Sequence, residues 1–246
     1  MTAPDRATQN APSLIEGGET IRRRLAAIRD EIAAAAIAAG RDPRSVALVA
    51  VAKTHGVAAI EAAVAAGQRI FGENRVQEAR AKFPSVKARH PALELHLIGP
   101  LQTNKVKEAV ALFDVIETVD RPKLAEKLAE EMHRTGRRIP CYIQVNIGNE
   151  PQKAGAAAQD LGALLALCRD DYRLPVVGLM CIPPAGADPK PHFFNLAALA
   201  RANQIPFLSM GMSGDFGQAI AAGATHVRVG TAIFGAREVQ PVLRNE

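Results

Sequence analysis

From residue 46 to residue 229 the sequence alternates short apolar runs with segments rich in helix formers, and this alternation constrains the fold more than any other feature. The candidate strands are Val46–Ala52, Arg69–Phe71, Glu94–Ile98, Val115–Thr118, Pro140–Asn146, Val176–Ile182, Pro206–Met210 and Thr225–Val229. Between them lie Ala58–Ala66, Arg75–Phe83, Val106–Ala111, Pro122–Thr135, Ala156–Cys168, His192–Ala202 and Asp215–Ala222. Most of the runs carry apolar residues on both faces, as strands do when helices cover a parallel sheet. Eight of them favour a closed (β/α)8 TIM barrel, with an open doubly wound sheet as the competing architecture.

A lead-in helix is expected over Glu19–Ala39, where Ile21, Leu25, Ile28, Ile32 and Ile37 recur at helical spacing among charges. Gly40 and Asp42-Pro43 then stop it and turn the chain. Residues 1–16 carry Asp5, Arg6, two prolines and no apolar run, which predicts a disordered tail rather than a signal peptide or anchor. Residues 17–246 are expected to form one barrel domain, since single α/β barrels reach this length. Tryptophan is absent and aromatics make up 4% of the chain, so the core must be aliphatic.

The net charge of +5 is spread along the chain, with Arg22-Arg23-Arg24 and Arg137-Arg138 as its basic clusters and no interleaved aromatic platform. Nucleic-acid binding is therefore not expected, whereas a mild basic excess suits an anionic small molecule such as a phosphate ester. Cys141, Cys168 and Cys181 form neither a CxxC site nor a disulfide framework, which points to a reducing, cytoplasmic setting. No run approaches the roughly 20 apolar residues of a membrane span, and no metal site is expected.

The unusual polar and glycine residues cluster where the candidate strands end. Lys53-Thr54, Gly72-Glu73-Asn74, Gly99-Pro100, Asn146, Pro183-Pro184, Ser209 through Ser213 and Gly230-Thr231 all fall there. In a barrel these ends converge on the C-terminal rim, where ligand sites are built. Lys53 is the one lysine of nine that ends a continuous apolar run; solvated faces account for most of the others. A lysine against an apolar wall favours its free amine, a nucleophile toward aldehydes, although a strand-end lysine can also simply reach water or a carboxylate.

Gly211, Ser213, Gly214, Gly230 and Thr231 offer backbone N–H groups and hydroxyls near a helix expected to start at Asp215. Barrels place phosphate in that region, though tight turns alone would also use these residues. Arg228 alternates with Val227 and Val229 and should point into the barrel, toward either a structural carboxylate or a ligand atom. His96 is expected to be a satisfied core histidine, Met180, Met210 and Met212 to be gap fillers, and Cys181 to be buried and inert.

Several stretches together resemble the pyridoxal phosphate (PLP) homeostasis protein family, related to the N-terminal barrel of alanine racemase. They are Leu48 through Thr54, Phe71 through Glu78, His96 through Lys105, Gln144 through Ile147, Gly178 through Met180, Leu208 through Asp215 and Arg228 through Arg237. The resemblance implies that Lys53 carries PLP as an internal aldimine and that Asn74 lies near the ring hydroxyl. It implies that Ser213, Gly230 and Thr231, helped by main chain around Met210-Gly211, cradle the phosphate, and that Arg228 faces the pyridine nitrogen. The implied role is PLP binding and homeostasis by a monomer, with apo PLP-dependent enzymes as possible recipients.

His55-Gly56, Arg75, Leu95 and the Pro183–Pro191 loop depart from the family pattern, and Lys153 stands as an auxiliary amine near the rim. Two enzyme readings compete: a weak PLP-dependent amino-acid racemase, and a Schiff-base aldolase that binds a phosphate ester without PLP. Racemisation needs groups on both faces of the substrate carbon. The chain has two tyrosines, Tyr142 and Tyr172, neither after the expected barrel, and within its 246 residues no second domain of the racemase kind is expected beside the barrel. The aldolase reading leaves Arg228 unexplained.

Overall fold

The computed structural model of the chain describes residues 11–235. The first helix, α1 (Ala11–Ala38), takes in residues 11–16 of the expected tail, and residues 1–10 lie outside the described range. Its buried stripe is Ile21, Leu25, Ile28, Ile32 and Ala36, whereas Ile37 is 66% exposed. The stripe thus continues at the four-residue step from Ile32, and Ile37 is rotated off it by a residue's turn of about 100°. This face packs on three later helices, α2 (Val57–Ala65), α8 (Phe216–Ala221) and α9 (Thr231–Phe234).

Nine strands follow: β1 (Ala47–Val51), β2 (Ile70–Glu73), β3 (Glu94–Leu97), β4 (Val115–Val119), β5 (Cys141–Asn146), β6 (Ala156–Ala157), β7 (Val176–Cys181), β8 (Phe207–Ser209) and β9 (His226–Val229). All pairings are parallel, and the ring β1-β2-β3-β4-β5-β7-β8-β9 closes back on β1. The fold is therefore the (β/α)8 barrel that the alternation predicts, with α1 ahead of it, rather than an open sheet. The remaining helices are α3 (Val76–Arg89), α4 (Val106–Leu112), α5 (Pro122–Thr135), α6 (Leu161–Ala166) and α7 (Pro189–Ala202).

Three boundaries depart from expectation for identifiable reasons. Helix α3 runs through Pro84 instead of stopping at Phe83, because Phe83 and Val86 on either side are fully buried and hold the helix against the barrel. Helix α7 begins at Pro189, capped by the Asp188 side chain on Lys190 N–H, since proline is tolerated in a first turn. The expected helix over Ala156–Cys168 is shorter. Ala156 and Ala157 instead pair with Val145 and Asn146 as β6, after Gly155 takes φ +121°.

Side chains alternate along each strand. Leu48, Ala50, Ala52, Phe71, Leu95, Leu97, Ile143, Val145, Leu179, Val227 and Val229 belong to the layer packed under the helices. The barrel interior holds Val115, Tyr142 and Met180, joined by the buried polar groups His96, Glu117, Ser209 and Arg228. Among the described residues no helix is long and apolar enough to cross a membrane.

Candidate functional site

A cavity of about 350 Å³ opens at the C-terminal rim, and six residues expected from sequence line it: Lys53, Asn74, Ser213, Arg228, Gly230 and Thr231. Val51, Ile98 and Ile182 supply apolar wall, and Thr54, His55, Met212, Gly214 and Gly235 complete the lining. Met210 and Gly211 stand back from it. The Met210 side chain is fully buried in the layer under the helices, and Gly211 contributes its carbonyl to Arg228 N–H at 2.9 Å. Gly211 itself is structural: its φ is +92°, and a Cβ there would lie 2.6 Å from Ala219 Cβ.

Lys53 is half-buried two residues past the end of β1. Its amine makes no hydrogen bond or ion pair among the described residues, so it is uncommitted at the cavity wall. Asn74 is placed by the next strand. A Cβ on Gly99 would lie 2.2 Å from Asn74 O, so the β3 exit can approach Asn74 only as glycine. The Asn74 Oδ1 is buried without a hydrogen-bond partner, which leaves it available to a ligand donor.

Arg228 points into the barrel, 4% exposed, as its alternation predicts. Its Nη1 donates to Ser209 Oγ at 2.7 Å and its Nη2 to Cys181 O at 2.8 Å. Ser209 Oγ donates to Glu117 Oε2 at 2.5 Å, and Glu117 Oε2 lies 4.0 Å from the guanidinium. Glu117 Oε1 meets His96 Nδ1 at 2.5 Å, and His96 Nε2 meets Glu94 Oε1 at 2.6 Å. A polar line thus runs from Glu94, at the start of β3, through the barrel interior to Arg228 at the cavity.

Electrostatics keep that line charged. Burial alone would lower His96, but its bonds to Glu117 and Glu94 reverse the effect and raise it to about 9. Burial would raise Glu117; His96, Arg228 and Ser209 together hold it below the usual carboxylate range. Both expectations about these residues hold in part at once: His96 is a satisfied core histidine, and Arg228 has a structural carboxylate while still lining the cavity. Cys181 is buried with its thiol pushed up to about 12, chiefly by burial, and is accordingly inert.

The opposite end of the cavity is rich in donors. No backbone acceptor takes the N–H of Ser213 or Gly214 among the described residues, and Thr231 opens α9 with an N–H that has no intrahelical partner. Asp215 caps the turn by accepting Met212 N–H at 2.6 Å. The hydroxyls of Ser213 and Thr231 complete a cluster suited to an anion.

Other residues fall elsewhere. Lys153 is tied to Glu150 Oε2 at 2.6 Å and Pro183 O at 3.1 Å and does not line the cavity. Leu95 is fully buried under the helices. His55 stacks on Phe234 with ring centroids 5.1 Å apart and does line the cavity. Ser209 stands among the strand-end residues expected at the rim, whereas Glu117 was not expected at the site, because its link to Arg228 through Ser209 exists only once the barrel closes.

The comparisons with known proteins agree with this geometry. The family described as alanine racemase, N-terminal domain, matches residues 24–238. A pyridoxal phosphate homeostasis protein of Pseudomonas aeruginosa is 40% identical over 227 residues, covering 89% of this chain and 96% of its own. That of Vibrio cholerae is 42% identical over 229 residues, covering 89% of this chain and 97% of its own. The solved structure of PipY from Synechococcus elongatus without PLP superposes with a TM-score of 0.80 at 41% identity, over 87% of this chain and all of that one. PipY with PLP bound gives 0.77 at 40%, with the same coverage. D-threonine aldolase from Filomicrobium marinum, at 19% identity and a TM-score of 0.68, shares the fold alone. The chain belongs to the pyridoxal phosphate homeostasis protein family, within the alanine racemase N-terminal domain group.

Proposed function

We propose that this protein is a non-catalytic, cytoplasmic PLP carrier, which holds the cofactor through a reversible bond to Lys53 Nζ and yields it to incoming amines or to apo-enzymes. The observation that carries the reading is the convergence, in one cavity, of an uncommitted amine, a fixed guanidinium and a donor-rich turn. When bound, PLP supplies an aldehyde carbon that primary amines attack reversibly. The residues present fit it. Ser213, Gly214 and Thr231 would hold the phosphate, the orphaned Oδ1 of Asn74 would accept from the ring hydroxyl, and Arg228 would hold the pyridine nitrogen.

Arg228 donates but cannot accept, so it would keep that nitrogen unprotonated. A ring so held is a poor electron sink, which suits storage over carbanion chemistry. Both tyrosines of the chain are far from a role as second base: Tyr142 is buried inside the barrel, 3.4 Å from His226 Nδ1, and Tyr172 lies ahead of β7 on the far end. Asn74 also borders a wider cavity of about 870 Å³ with Arg75, Lys105 and Arg121, which gives an incoming amine room to approach. The carrier is proposed to act as a monomer.

Titration with PLP, followed by visible absorption, tests this reading. Wild type is expected to develop a protein-bound band that Lys53→Ala lacks, with D/L-alanine interconversion at background. A wild type with no such band contradicts PLP carriage, and alanine racemisation above background contradicts the non-catalytic reading.

A further inference from the structure

Lys53 sits in a turn that its own sequence disfavours. The next residue, Thr54, is β-branched yet has φ +66°, in the left-handed region. Such a conformation persists only where the surroundings impose it. The constraint comes from α3, behind the turn. Lys82 on that helix is 8% exposed, unlike the solvated lysine its helical position suggests. Its ammonium donates to Ala52 O at 3.0 Å and His55 O at 3.1 Å, the carbonyls on either side of Lys53-Thr54. It also donates to Glu78 Oε1 at 2.9 Å, and that same oxygen accepts the Thr54 N–H.

The ammonium is in turn tied to the barrel wall. Glu73, fully buried at the end of β2, lies 2.7 Å from Lys82 Nζ as an ion pair. One buried cation and one carboxylate therefore fix both flanks and the middle of the turn that carries Lys53. A buried lysine committed to two carbonyls and two carboxylates has little freedom to move, so the turn has little either.

We propose that Lys82, acting with Glu78, is the positioning residue that aims Lys53 Nζ into the cavity and so sets the rate of covalent PLP capture without touching the cofactor. The inference rests on the carrier function proposed above. In the step concerned a C=N bond would form between the free Lys53 amine and the aldehyde carbon, the aldehyde C=O bond would break, and its oxygen would leave as water with the two hydrogens of the amine, with no change of oxidation state.

Pyridoxine 5'-phosphate, which keeps the ring and phosphate but carries an alcohol in place of the aldehyde, separates positioning from general loosening. Capture of PLP is followed by stopped-flow absorption, and binding of pyridoxine 5'-phosphate by calorimetry. Lys82→Met and Glu78→Ala are expected to slow capture by about 10- to 100-fold, the cost of misplacing a reacting group by about an ångström. Their affinity for pyridoxine 5'-phosphate should stay at the wild-type value. Glu78→Gln, which keeps an acceptor for Thr54 N–H, should recover most of the rate. Equal weakening of both ligands, or wild-type capture rates in both variants, overturns the proposal. Should Lys82→Met fail to fold, the Glu78→Ala and Glu78→Gln pair decides the matter alone. A wild type that never captures PLP overturns the carrier reading and this inference with it, whereas capture by wild type with unaffected variants overturns this inference only.

Discussion

His96 should make the protein measurably less stable in mild alkali. The side chain is 1% exposed and lies between Glu117 and Glu94, which raise it from its ordinary 6.5 to about 9 against the opposing effect of burial. Because the folded value is above the unfolded one, the folded state binds the extra proton throughout that interval. Its contribution is fully present below pH 6.5 and is lost as pH rises through 9. At about 1.4 kcal/mol per unit, the interval corresponds to about 3 kcal/mol of folding stability.

Urea unfolding at pH 6 and at pH 9.5 measures the loss, and the same pair of measurements on His96→Gln supplies the reference. Glu73 also titrates high, at about 7, because burial outweighs its pairing with Lys82. Its stability contribution is lost between 4.5 and 7, and the comparison with the variant separates it. The variant should be less stable at pH 6 and should lack most of the decline toward pH 9.5. A wild type equally stable at both pH values, or a variant with the full decline, would refute the buried charged line from Glu94 to Arg228.

Gly211→Ala forces a side chain into φ +92° with its Cβ 2.6 Å from Ala219 Cβ, and should lower urea stability by about 1–3 kcal/mol; unchanged stability would contradict the packing of α8 under that turn. Arg228→Glu removes the bonds to Ser209 and Cys181 and sets a second carboxylate beside Glu117, a loss of about 3–5 kcal/mol. Adding Glu117→Gln should restore part of that stability, and a double variant no more stable than Arg228→Glu alone would contradict the pairing.

The strands were readable because they are short runs of mostly apolar, β-rich residues, and the barrel because eight of them alternate with helices. Lys53 was legible for the same reason: it ends an apolar run where a charge is out of place. Arg228 was legible from its alternation with Val227 and Val229, yet its carboxylate partner was not. Glu117 is on β4 and reaches Arg228 only across the closed barrel, through Ser209. Lys82 is the clearest miss. On a helix rich in charges it looks solvated, and its burial depends on where α3 crosses the β1 exit. The resemblance implied that main chain around Met210-Gly211 helps to hold the phosphate; neither residue lines the cavity, since Met210 N–H donates to His226 O at 3.1 Å and Gly211 packs against α8.

Borohydride reduction of the PLP-loaded protein, followed by peptide mapping, locates the amine that holds the cofactor. One reduced PLP adduct is expected, on the peptide containing Lys53, and none on that peptide in Lys53→Ala. An adduct confined to Lys153 or to another lysine, or labelling of equal extent in Lys53→Ala, would contradict it.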